Sequence, residues 1–89
     1  MSATFLNYTK ESVFSFTGAV DGERKSLELH RCTDFGSHFL VMCGTDIVAM
    51  AACRGVGAPV VISVQRTFNV PYMPVIYGIR QYWETVQHG

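Results

Sequence analysis

Polar and apolar positions alternate along the first half of the chain in a way that predicts strands. In Val13–Val20 the residues Phe14, Phe16, Gly18 and Val20 fall on one face. Asp21-Gly22 follows, a strong turn signal because glycine tolerates positive φ and aspartate bonds its own backbone. Ser26–Thr33 alternates again, with Leu27 and Leu29 on one side and Glu28 and His30 on the other. A hairpin with Val20 opposite Lys25 would set Gly18 against Leu27, Phe16 against Leu29 and Phe14 against Arg31, so that both apolar faces coincide.

Alternation gives way to a long apolar block from His38 to Val64, with Asp46 and Arg54 its only fixed charges. Asp34-Phe35-Gly36-Ser37 signals the turn into it, and His38–Cys43 reads as a strand covered on both faces. Gly44-Thr45-Asp46 breaks the run. Ile47–Arg54 leaves two readings open. Its β-branched start and short preceding turn favour a returning strand, whereas Asp46 as N-cap, the alanines and Gly55 suit a helix. After the Gly55–Pro59 loop, Val60–Phe68 predicts a strand with Val60, Ile62 and Val64 on its buried side and Val61, Ser63 and Gln65 on the other.

The period then changes. From Pro74, suited to the first turn of a helix, Val75, Ile79, Tyr82 and Val86 form one apolar stripe, with Ile76 and Trp83 beside it. Arg80 and Glu84 stand one turn apart on the outer face, spaced for a weak i,i+4 pair. Gly78 inside this segment costs about 1 kcal/mol relative to alanine, so the helix depends on packing. The expected architecture is α+β: an antiparallel meander of four to five strands with a C-terminal amphipathic helix packed on one face, all in one domain spanning residues 1–89.

That fold leaves a second sheet face to hide, and the composition sharpens the point. Charged residues are only 16% of the 89, and formal net charge is zero. A surface so poor in charge favours self-association or a partner, and a homo-oligomer is expected. Nucleic-acid binding is disfavoured, because the only tight basic pair, Arg24-Lys25, sits between Glu23 and Glu28. The breaks at Gly44–Asp46 and Arg54–Gly55 cut the apolar block into pieces shorter than the ~20 residues of a membrane span. Met1–Phe5 lacks a secretory pattern, and three cysteines fit free thiols in a reducing compartment, so a cytoplasmic domain is expected.

Candidate chemistry is sparse. His30, Cys32, His38 and Cys43 invite a zinc reading, but they lack the paired knuckle spacing, and strand parity points His38 and Cys43 apart. A cysteine nucleophile would be Cys32, the one thiol with charged neighbours, Arg31 and Asp34. Arg54-Gly55-Val56-Gly57-Ala58 resembles an anion-cradling loop only superficially, since a strand rather than a helix follows and no Walker spacing is present. No metal or cofactor is expected.

The strongest candidate surface is Tyr72, Met73, Tyr77, Arg80 and Trp83, residue types enriched where proteins meet. For Trp83 the competing role, closing the core over the sheet, weighs more. The expectation is a small non-enzymatic interaction domain, an inhibitor or adaptor docking onto a larger protein or onto its own copy. Small domains of this kind include those carried by viruses and mobile elements, although no residue here points to that subtype. The alternative is a small enzyme or ligand-binding domain built around Cys32 and His30 or the Arg54 loop.

Overall fold

A computed structural model describes residues 7–34 and 36–88. Met1–Phe5, read above for a signal, and Phe35 of the second turn lie outside them. Among the described residues five strands, β1 (Phe14–Val20), β2 (Glu23–Arg31), β3 (His38–Cys43), β4 (Asp46–Ala52) and β5 (Val61–Val64), precede one helix, α1 (Tyr72–His88). All neighbouring strands are antiparallel, in the order β1-β2-β3-β4-β5. The α+β meander closed by a C-terminal helix is therefore present, and Ile47–Arg54 resolves as strand as far as Ala52, with Cys53 and Arg54 beyond its end.

Two tight turns set the register. Asp21 (φ 53°) and Gly22 (φ 83°) both adopt left-handed backbone, the type I′ pattern whose twist matches that of the flanking strands. Such a turn pairs the residues on either side of it, so Val20 lies opposite Glu23 rather than Lys25. Consequently β2 starts at Glu23, and Phe16 faces Leu27 while Phe14 faces Leu29. The shift from the expected register is two residues, which preserves parity and leaves the same side chains facing the core. At the second turn only Gly44 (φ 62°) is left-handed, as in a II′ turn, and Cys43 meets Asp46 across it.

Pairing shifts between Val41 and Met42: Val41 faces Ala49 and Met42 faces Ile47, so Val48 is the extra residue of a bulge. Both Val48 and Ala49 are buried in the main core as a result. β5 is shorter than the expected Val60–Phe68. Gln65 donates its N–H to Val48 O, then Phe68 N–H bonds Gln65 O and turns the chain back over the sheet end. Phe68 and Val70 thereby join the core as loop residues. Within β5 the expected faces hold, with Ile62 and Val64 packed inward and Val61 63% exposed.

The helix begins at Tyr72, two residues before Pro74, which still lies in the first turn where its missing N–H has no intrahelical partner. Val75, Ile79 and Tyr82 sink into the core among Leu27, Leu29, Phe39 and Val41. Val86, expected on the same stripe, is 48% exposed near the helix end. Glycines set the distance of approach. A Cβ at Gly78 would stand 2.9 Å from Phe16 Cδ1, and one at Gly18 would stand 2.8 Å from Leu27 Cδ1 and 3.3 Å from Pro74 Cβ. So α1 lies tight against β1, and its position fixes everything on its outer face.

Candidate functional site

Opposite the buried stripe of α1, Met73, Tyr77, Arg80 and Glu84 follow one another at i, i+4, i+7 and i+11 and form an outward stripe. Met73 is 53% and Tyr77 60% exposed, and Tyr72, on the neighbouring flank, is 55% exposed. Arg80 and Glu84 are exposed too. They flank an open cleft with Gly55, Val56 and Gly57, of about 60 Å³. Despite their spacing they form no ion pair, and among the described residues Arg54 has none either.

Trp83 differs from this group. It is half-buried, with its ring edge-on to Phe39 (centroids 6.1 Å apart) and Tyr82 (5.3 Å). Arg31 covers this aromatic cluster, its Cζ 5.9 Å from the Phe39 centroid and 6.0 Å from that of Trp83. Arg31 Nη1 donates to Tyr82 Oη at 3.2 Å and Nη2 to Gly36 O at 2.6 Å, tying the aromatic cluster to the β2–β3 connection. Trp83 Nε1 is buried with no hydrogen-bond partner among the described residues. Its indole seats the helix end, leaving Tyr72, Met73, Tyr77 and Arg80 as the exposed members of the predicted surface.

The residues read for chemistry sit mostly on the other sheet face. There Cys32, Leu40 and Met42 form a second buried cluster, with Ile47 and Met50 against it. Cys32 lies across from His38, whose O accepts the Cys32 N–H at 3.0 Å. Burial, with a smaller contribution from the Asp34 carboxylate, pushes the Cys32 thiol up from its ordinary range. That is the reverse of what an activated nucleophile requires. Cys43 packs on the helix side, away from His30, Cys32 and His38, as its parity predicts. Among the described residues, no group of three or more His, Cys, Asp or Glu side chains converges for a metal.

His30 has structural work. Its Nδ1 lies 2.8 Å from Thr9 O and its Nε2 3.4 Å from Glu28 Oε1, while its ring meets Tyr8 edge-on at 5.7 Å. It holds residues 7–9 beside the end of β2, where Tyr8 bridges to Cys32 and Thr9 N–H bonds Arg31 O. The Gly55–Gly57 cleft has room for a water or two and far less than the ~300 Å³ of a small-molecule pocket. Glu84 at its mouth opposes an anion.

Nothing in the sequence distinguished Trp83 from Tyr77 by residue type, but helical spacing did, since Trp83 adjoins the buried stripe and Tyr77 opposes it. Among the described residues, no helix is long and apolar enough to cross a membrane. Compared with known proteins, the chain matches no family model, no curated relative and no solved structure.

Proposed function

We propose that this protein is a non-enzymatic interaction domain that docks, as an inhibitor or adaptor, onto a larger protein through the outer face of α1. The observation that carries the reading is the exposure of Tyr72, Met73 and Tyr77 on a helix that buries Val75, Ile79 and Tyr82 in the core. Large apolar and aromatic side chains beside an arginine with no ion pair among the described residues are the makings of a contact hot spot. The helix is already formed and packed closely on β1, so little ordering entropy opposes binding. A cytoplasmic setting is consistent with the free cysteines.

The test is affinity capture with the full chain from cells that carry its gene, beside a Tyr77→Ala/Arg80→Ala variant and a Cys32→Ser/Arg54→Ala variant. Docking requires that the first variant loses the captured protein while keeping its fold, and that the second retains it. Equal capture by wild type and the Tyr77/Arg80 variant would place the contact elsewhere. Loss only in the Cys32/Arg54 variant would favour a chemical site.

A further inference from the structure

We propose that two copies of this chain join through the outer edge of β1, building one continuous antiparallel sheet across a two-fold axis at Thr17. This goes beyond docking through α1 and uses a different surface. The type I′ turn makes Val20–Glu23 a hydrogen-bonded pair, so Val20, Gly18, Phe16 and Phe14 direct their peptide groups to β2. Ser15, Thr17 and Ala19 direct theirs outward. Among the described residues, no segment hydrogen-bonds to that side.

Edge strands are ordinarily blunted by charge, proline or shortness. β1 has none of these: its seven residues, FSFTGAV, carry no charge and no proline. The other edge, β5, has only four residues and follows Pro59. A second copy is the occupant that β1 fits, because the strand is self-complementary about Thr17. Thr17 meets Thr17 of the second copy, Ser15 meets Ala19, and Phe14 meets Val20. Phe16 falls opposite Gly18, so the ring that lies against Gly78 of its own helix meets no side chain across the pair. On the flank of α1 toward β1, Pro74, Gln81 and Thr85 carry no charge, so this flank of α1 sets no like charges against its two-fold copy.

Sedimentation velocity of the full chain over the micromolar range tests the pairing, with amide hydrogen exchange as the residue-level readout. The wild type should dimerise, with the Ser15, Thr17 and Ala19 amides protected in proportion to the dimer. Thr17→Lys, at an exposed position, sets two cations face to face and should weaken the dimer about tenfold or more. Its near-UV circular dichroism reports whether the fold is kept. Thr17→Pro, which removes an outward donor, is the second variant. Tyr77→Ala/Arg80→Ala should dimerise normally, so failure of the α1 docking reading leaves this result intact. A monomeric wild type, unprotected edge amides, or a folded Thr17→Lys chain that dimerises as well as wild type would overturn the proposal. So would a heterologous strand, rather than a second copy, protecting the three amides.

Discussion

Phe16 occupies the space that a side chain at Gly78 would need, its Cδ1 only 2.9 Å from where a Cβ would lie. Helix propensity alone favours Gly78→Ala by about 1 kcal/mol. The contact reverses that sign, because the whole ring edge is close and β1 is held by its ladder. Gly78→Ala is expected to destabilise the fold by about 1–3 kcal/mol in urea unfolding. Adding Phe16→Ala should make the pair less than additive. A Gly78→Ala chain as stable as wild type would show that α1 can lift off β1 at no cost.

Asp21 performs two tasks at the first turn. It takes left-handed backbone, and it exchanges bonds with Asn69: its N–H donates to Asn69 O at 2.8 Å and its Oδ1 accepts from Asn69 N–H at 2.9 Å. Asp21→Ala loses the side-chain bond and strains the turn, costing about 1–2 kcal/mol. Asp21→Asn should recover most of it, since the amide oxygen accepts the same bond and asparagine tolerates positive φ. Thermal melting of the three proteins checks the order.

Cys32 should be the slow thiol. Burial and Asp34 favour its neutral form, so alkylation of the native protein below pH 9 should label half-buried Cys43 before Cys32. The sign for stability follows from linkage. A thiol pKa raised in the folded state contributes stability that is complete below the unfolded value near 9 and declines as pH rises through the folded value. Replacing Cys32 with Ala should flatten the alkaline loss of stability. Identical alkaline unfolding profiles would refute a titrating Cys32.

His30 anchors residues 7–9, and its replacement should act locally. His30→Leu keeps the bulk but removes the ring nitrogen beside Thr9 O, costing about 1 kcal/mol. Exchange of the Thr9 and Thr33 amides, which bond Arg31 O and Asn7 O, should accelerate more than that of the β3 amides. Uniform acceleration across the sheet would mean that the segment opens only with the whole domain.

For the outer helix face the expectation is neutrality. Tyr77→Ala/Arg80→Ala should change folding stability by no more than about 0.5 kcal/mol per site, because neither side chain is buried. A larger loss in a urea titration would recast these residues as part of the fold.

Local chemistry determines much of this molecule without reference to any long-range contact. Asp21-Gly22 and Gly44-Thr45 can turn the chain within two residues, and period-two patterning assigns Phe16, Leu29 and Ile62 to one sheet face. The helical stripe of Val75, Ile79 and Tyr82 is equally local, and it places Tyr77 and Arg80 outward. A two-residue shift of the first hairpin keeps every face, and the Asp21-Gly22 turn, itself local, selects Val20 opposite Glu23. Tertiary structure decided what pattern and turns leave degenerate. Ile47–Ala52 becomes a strand because β3 offers it a ladder, and β5 ends early because Phe68 turns back into the core. Gly78 reads as a helix weakness until Phe16 stands against it, and Trp83, which the sequence already inclines toward the core, finds its place only against Phe39 and Tyr82. Sequence pattern carries direction, whereas spacing between elements is set by side chains distant in the chain, and those meet only in the folded state.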